Sequence, residues 1–304
     1  MSAECLIDMT NRALITGLSG FTGQYMAAAL KAQGYQVFDL ESVAPGGATK
    51  LVDLRDAQAV SAAVAEIRPE IVVHLAAVAF VAHGDASEIY STNIVGTRNL
   101  LSALASADCK VQKVLLASSA NIYGNGETTQ LDEQAPARPE NDYAVSKYAM
   151  ELMSRQWLKK LPIVIARPFN YTGVGQSKSF LLPKIVDHFA RGESGIQLGN
   201  IDVYRDFSDV RLVVDCYQRL LAKGQPGKAY NICTGEVHSL QDILNILATI
   251  AGYEIKITVN PDFVRANEVK RLSGSNLLLT KTIGAPLQIP LEETLRWMYH
   301  QQIS

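Results

Sequence analysis

The chain predicts a doubly wound α/β fold, in which helices cover both faces of a parallel sheet, with a smaller C-terminal part. Two observations carry that expectation: short apolar runs that do not alternate with polar residues, and longer helical patterns between them. A strand covered on both faces has no polar side, so it reads as a continuous apolar run. A third observation is a glycine-spaced turn directly after the first of these runs.

The first run, Arg12-Ala-Leu-Ile-Thr16, leads through the glycine turn into a helix predicted over 21–33. Further runs lie at 35–38, 70–75, 113–117 and 162–166, and helices are predicted over 56–67, 88–107 and 143–160. Strand–helix–strand repetition of this kind makes crossover connections and hence a parallel sheet. After Pro168 the rhythm changes to irregular stretches with Gly and Pro, broken by helices predicted at 184–191, 210–222, 240–251 and 291–300. The chain is therefore expected to divide into 1–168 and 169–304. The strand-like run Ala229-Tyr-Asn-Ile-Cys233 is one segment able to return to the main sheet.

Composition narrows the function. The 28 Lys and Arg balance 30 Asp and Glu, so there is no electrostatic footprint for nucleic acid or an anionic membrane. The four cysteines show no C-x-x-C spacing and no grouping with histidines, which indicates neither a disulfide framework nor a metal site. Residues 1–11 lack a basic segment followed by an apolar one, and the most apolar stretch, 71–82, is far short of a membrane span. A cytoplasmic protein is the expectation.

The turn reads Gly17-Leu-Ser-Gly20-Phe21-Thr22-Gly23. Glycines between a strand and a helix let the backbone approach a pyrophosphate, whose charge then meets unpaired N–H groups and the positive helix end. The spacing and placement point to NAD(H) or NADP(H) in a Rossmann-type fold, and make 1–168 mainly the dinucleotide-binding part. An acid at the end of the second strand would hold the adenosine ribose; Asp39 and Glu41 are both available, and Glu41, past the apolar run, is favoured. A carboxylate there repels a 2′-phosphate, which favours NAD. Asp53 and Leu54 are candidates for flanking the adenine, although Asp53 can equally serve the helix beginning near Asp56.

Tyr143-Ala-Val-Ser-Lys147 places a phenol and an ammonium on one face of a helix. A tyrosine titrates near pH ~10, and a neighbouring cation is expected to lower that value, so Tyr143 can act as acid or base. The buried run Leu115-Leu-Ala-Ser-Ser119 ends where ligands of doubly wound sheets bind, and Ser119 can hydrogen-bond the oxygen that Tyr143 protonates. His74, His83, His188 and His238 read as packing or surface groups.

Together the glycine turn, His74-Leu75-Ala76-Ala77, Asn93, Ser119, Tyr143, Lys147 and Arg167-Pro168-Phe-Asn170 resemble the extended short-chain dehydrogenase/reductase family over nearly the whole chain. The resemblance implies a catalytic triad at Ser119, Tyr143 and Lys147. It implies a dinucleotide lined by Gly17, Gly20, Phe21, Thr22, Gly23, Leu75, Ala76, Ala77, Tyr143, Lys147 and Pro168. The second half resembles the branch acting on GDP-mannose derivatives, through Phe180-Leu-Leu-Pro-Lys184, Leu198-Gly-Asn-Ile-Asp-Val-Tyr-Arg205-Asp-Phe207 and Val264-Arg265-Ala-Asn-Glu268-Val269. That makes 169–304 mainly the nucleotide-sugar part. Lys184, Arg205 and Arg265 are then cations for phosphates or ribose, and Glu268 an acceptor for guanine; the plainer reading pairs Arg205 with Asp206 and Arg265 with Glu268 at the surface.

Within the branch, dehydratases resemble one another in a Glu two residues after the catalytic Ser or Thr, and the epimerising reductase carries a Cys there. This chain has Asn121, and an amide moves no proton. The implied substrate is a GDP-linked 4-keto-6-deoxyhexose, bound with help from Asn121 and Asn170, and the implied reaction is reduction of its C4 ketone to GDP-D-rhamnose. Tyr171 and Val174 replace a His and a Pro of the branch pattern, which admits reduction from the other face to GDP-6-deoxy-D-talose. A nucleotide-sugar 4-epimerase with tightly held NAD and a dinucleotide-sensing or scaffold protein are the alternatives. The resemblance also implies a homodimer through a four-helix interface.

Overall fold

The computed structural model describes residues 11–43, 49–79, 86–125, 130–264 and 270–303, with the backbone alone at 41–43 and 49–50. β1 (Arg12–Thr16) enters the glycine turn and α1 (Phe21–Ala32), and β2 (Gln36–Phe38) returns parallel to it. The antiparallel pair β3 (Glu41–Val43) and β4 (Thr49–Leu51) leads to α2 (Ala57–Ile67), whose first turn Asp56 caps by accepting from the Gln58 and Ala59 N–H groups. Between β5 (Ile71–His74) and β6 (Lys113–Ala117) lies a helical stretch in three pieces: α3 (Ala86–Tyr90), a π turn (Ser91–Gly96) and α4 (Thr97–Ser106). α5 (Asp142–Ser154) and β7 (Ile163–Pro168) complete the first half.

The expected helix over 88–107 is thus widened in the middle, a local change that π turns commonly bring to functional sites. The expected helix over 143–160 stops at Ser154 and tightens into a 3₁₀ turn at Arg155–Trp157.

The second half begins with β8 (Asn170–Thr172), α6 (Leu181–Ala190), β9 (Gly195–Leu198), β10 (Tyr204–Arg205) and β11 (Phe207–Asp209). α7 (Val210–Lys223) and β12 (Ala229–Ile232) follow, then β13 (His238–Ser239), α8 (Leu240–Ala251) and β14 (Lys256–Val259). β15 (Arg271–Leu272), α9 (Leu277–Ile283) and α10 (Leu291–Ile303) close the described chain.

The main sheet has the order β12-β7-β6-β5-β1-β2 and is parallel throughout. The run at 229–232 does return to it, pairing with β7. Alternate residues of β1 serve different faces: Ala13 and Ile15 pack with Met26, Val213, Tyr217 and Leu279, while Leu14 packs with Val60, Val64, Leu100 and Met150. This two-sided burial is why the strands are apolar without alternation. A separate core joins α6, α8 and α10 through Ile185, Phe189, Leu247 and Leu295. Short parallel pairs β8–β11 and β9–β14, and the small sheet β13-β10-β15, organise the second half, with β8 following β7 after a single residue.

Candidate active site

The sheet order reverses at β1, whose neighbours are β2 and β5, and doubly wound folds bind ligands outside the carboxyl ends of the strands at such a point. The glycine turn sits there. Gly17 has φ +76°, a left-handed conformation that side chains disfavour, and a Cβ on it would meet the Ala76 nitrogen at 2.9 Å. A Cβ on Gly23 would strike the Gly17 carbonyl oxygen, whereas one on Gly20 would touch only that oxygen, at 3.2 Å. The turn is closed on two sides and open at Gly20, where the first N–H groups of α1 emerge, and this cradle fits a dinucleotide pyrophosphate.

Asp39, just past β2, accepts from the Leu18 N–H at 3.2 Å and so braces the turn. The side chain of Glu41, the acid favoured from sequence, lies outside the described residues. Leu75 and Ala76 lie against the turn: the Leu75 N–H donates to the Thr16 carbonyl at 3.1 Å and that of Ala76 to Thr16 Oγ1 at 3.4 Å. Leu54 is buried against Gly96. Asp53 is half exposed and holds Arg55 with both carboxylate oxygens, while Asp56 caps α2 by itself.

At the end of β6 the backbone delivers Ser118 and Ser119. Ser119 is extended, accepts from the Asn121 N–H at 3.1 Å and neighbours the Tyr143 hydroxyl, whose pKa it works to lower. Asn121 itself is exposed. Asn141 starts α5 by accepting from the Ala144 N–H, which fixes Tyr143 in the first turn and Lys147 one turn on. Lys147 Nζ lies 5.9 Å from the Tyr143 ring centroid and donates to the Ala117 carbonyl at 2.8 Å. The helix is held from behind: Ser146 Oγ donates to the Tyr143 carbonyl and accepts from Asn93 Nδ2, and Asn93 grips both backbone groups of Val78.

Burial reverses the expected direction at the phenol. It pushes Tyr143 up to about 12, because desolvation, aided by the neighbouring Tyr171 phenol, outweighs the opposing effect of Ser119. The same burial pulls Lys147 down to about 8. The Ser118 hydroxyl, nine-tenths buried, has no hydrogen-bond partner among the described residues. A buried hydroxyl without a partner at the mouth of the parallel sheet is consistent with a bound polar ligand.

Pro168 is buried at the end of β7, with Asn170 opening β8. Lys184, on α6, donates to the Gln197 carbonyl at 3.1 Å and stands 4.7 Å from the Phe263 ring centroid. Arg205 is buried rather than on the surface and donates to the Tyr204 and Lys270 carbonyls. The surface pairing with Asp206 is not what forms: Asp206 is buried too, accepting from the Thr234 N–H and hydroxyl and from the Gly235 N–H. Arg265 and Glu268 lie outside the described residues. Two residues beside the cluster were not singled out from the sequence as site residues: Ser118, and Tyr171, whose phenol neighbours Tyr143 and which the sequence showed only as a departure from a pattern.

A nucleotide-binding turn, a switch point and a Ser–Tyr–Lys cluster define an NAD(P)(H)-dependent enzyme of the extended short-chain dehydrogenase/reductase superfamily. The chain belongs to the NAD dependent epimerase/dehydratase family, whose model matches residues 13–233. Among curated relatives it is 34% identical to GDP-6-deoxy-D-talose 4-dehydrogenase of Aggregatibacter actinomycetemcomitans, over 89% of this chain and 90% of that one. It is 35% identical to GDP-6-deoxy-D-mannose reductase of Pseudomonas aeruginosa, over 95% and 96%. Among solved structures, a candidate epimerase from Burkholderia cenocepacia J2315 is 51% identical with a TM-score of 0.89, covering 96% of this chain and 98% of that one. RMD from Pseudomonas aeruginosa, in complex with NADPH, is 32% identical with a TM-score of 0.85, covering 97% and 98%.

Proposed function

We propose that this protein transfers hydride at C4 of a GDP-linked 6-deoxyhexose, reducing GDP-4-keto-6-deoxy-D-mannose to GDP-6-deoxy-D-talose. At the coarser level it is a nucleotide-sugar-modifying, NAD(P)-dependent enzyme. The observation that carries the finer reading is the Ser119–Tyr143–Lys147 cluster at the sheet's carboxyl edge, beside a position, Asn121, that offers an amide and no acid or base. Such a site moves one proton at one oxygen, which suits a ketone–alcohol interconversion better than elimination of water. The two curated relatives support the position of attack, since 6-deoxy-D-talose and 6-deoxy-D-mannose differ only at C4 and give the same ketone on oxidation there. Tyr171 and Val174, which depart from the reductase pattern on the sugar side, support the talo product.

The dinucleotide, when bound, supplies the hydride. Tyr143 gives its hydroxyl proton to the C4 oxygen, and Ser119 hydrogen-bonds that oxygen and polarises the ketone. Lys147, held by the Ala117 carbonyl, steadies the phenolate that remains until solvent returns the proton. Asp39 on the turn supports NADH over NADPH by charge repulsion of a 2′-phosphate. Asn170, Lys184 and Arg205 are assigned to the sugar diphosphate, and Arg265 and Glu268 to the nucleoside. Exposed Val95 on the π turn with Val145 and Leu152 on α5 supports a homodimer packed through these helices. The described cysteines, Cys109, Cys216 and Cys233, are free thiols, which supports a reducing, cytoplasmic setting.

A 4-epimerase is the second reading, favoured by the 51% identical candidate epimerase. The test is to supply GDP-4-keto-6-deoxy-D-mannose with NADH or NADPH and assign the product by NMR. A D-talo product is expected. A D-rhamno product overturns the stereochemical assignment, and no cofactor oxidation overturns the reduction.

A further inference from the structure

The dinucleotide turn and the sugar-side loop are joined by a row of aromatic residues that the proton and hydride chemistry does not call for. Tyr171 leaves β8 on the face opposite its neighbour Asn170, because successive strand residues point to opposite sides. Its hydroxyl lies 2.8 Å from Thr22 Oγ1 in the first turn of α1, and its ring stacks on Phe21 with centroids 6.1 Å apart and planes 14° apart. Phe21 meets Tyr25 edge-on at 5.6 Å, and the Tyr25 hydroxyl donates to the Val174 carbonyl at 2.7 Å. Trp297 of α10 continues the row, edge-on to Tyr25 at 6.3 Å, with the Arg211 guanidinium 4.3 Å from its ring centroid.

The loop is seated in this row with little room. A Cβ on Gly173 would meet Val210 at 2.6 Å, and Phe21 and Trp297 at 3.4 Å each. Two hydroxyls, each bonding across 149 residues of chain, therefore fix loop 170–174 to the residues that begin the dinucleotide-binding helix. One of the two anchors, Thr22, is itself in the glycine turn. An imidazole, as the branch pattern carries at position 171, has no hydroxyl to bring to Thr22.

We propose that Tyr171 and Tyr25 are positioning residues that clasp the sugar-side loop onto the dinucleotide turn, so that filling one site tightens binding at the other. The clasp makes the two sites share one ordering step: a ligand that fixes the turn has already fixed the loop for the second ligand. By reciprocity the sugar nucleotide strengthens cofactor binding by the same factor. The inference rests on the proposed placement of the sugar nucleotide beside Asn170, but not on which sugar or which reaction.

The test is a binding cycle with no turnover. NADH and NADPH are titrated by fluorescence with and without saturating GDP, and again with UDP, for wild type, Tyr171→Phe, Tyr25→Phe and the double variant. Phenylalanine keeps each ring in the row and removes only a hydroxyl, and an unchanged melting temperature checks that packing is intact. In wild type, nucleoside diphosphate is expected to lower the cofactor Kd by about fivefold or more, the usual floor for coupled sites. In the double variant the ratio falls to within about twofold. Equal coupling in wild type and double variant, or none in wild type with either nucleotide, overturns the clasp. Coupling through UDP instead of GDP keeps the clasp and overturns the choice of GDP.

Discussion

Lys147 and Tyr143 are one helical turn apart, yet burial moves their proton affinities in opposite directions, Tyr143 up to about 12 and Lys147 down to about 8. Ketone reduction needs a protonated phenol, which Tyr143 keeps across the working range, and a charged ammonium, which Lys147 loses as pH rises past about 8. The kcat/KM for reduction should therefore fall above about pH 8, and Lys147→Arg, whose guanidinium stays charged, should carry that limb to higher pH; a pH profile of both proteins checks it. Tyr143→Phe should retain cofactor binding while kcat drops about 10²–10⁴-fold, the usual worth of general acid catalysis. The pairing of these side chains was legible in the sequence because i,i+4 spacing defines a helix face. The direction of the phenol's shift was not, since it depends on how deeply the phenol is buried and on Tyr171, which the fold brings beside it from a distant part of the chain.

At the scale of elements, the π turn brings Asn93 to Val78 and Ser146, and the next residues engage a buried relay. Thr97 Oγ1 donates to the Asn93 carbonyl and so accepts from His74 Nε2, which leaves His74 Nδ1 to accept from Thr16 Oγ1 at 2.6 Å. This ties β1, β5 and α4 together with a neutral imidazole, whose pKa burial, aided by the Lys147 charge, pulls down to about 3. Below an ordinary value near 6.5 the unfolded chain takes up a proton that the native one refuses, so stability falls as pH drops from there toward about 3. Urea midpoints at pH 7 and pH 5 should show a smaller loss for His74→Gln than for wild type. The sequence placed His74 correctly as a packing residue at the end of a strand. The π turn escaped it because one wider turn barely disturbs an apolar pattern along a helix.

Across the whole molecule, a hydrogen-bond network built around a buried ion pair joins the two halves of the chain. Arg167 of β7 holds Glu151 of α5 through two bonds of 2.9 and 2.7 Å, and donates to the Tyr123 hydroxyl and the Glu133 carbonyl. Tyr123 passes the network to Asn231 of β12, which also takes up Glu133. Arg167→Met should lower the unfolding free energy by about 3–5 kcal/mol, as breaking a buried pair from one side does, with Arg167→Met/Glu151→Leu recovering much of it. The parallel order of the main sheet was readable from repeated strand–helix–strand units, and so was the return of 229–232. The short sheets of the second half were not, because strands of two to four residues paired across distant sequence carry no period of their own.

The central claim, hydride transfer at C4 by the Tyr143 site, is tested most directly with cofactor deuterated at nicotinamide C4 and GDP-4-keto-6-deoxy-D-mannose. One equivalent of cofactor oxidised, with deuterium bound to C4 of a D-talo product in the NMR spectrum, is the expected result. A sugar product without deuterium at C4, or conversion with no net cofactor oxidised, would contradict it and point to internal hydride recycling on tightly held NAD.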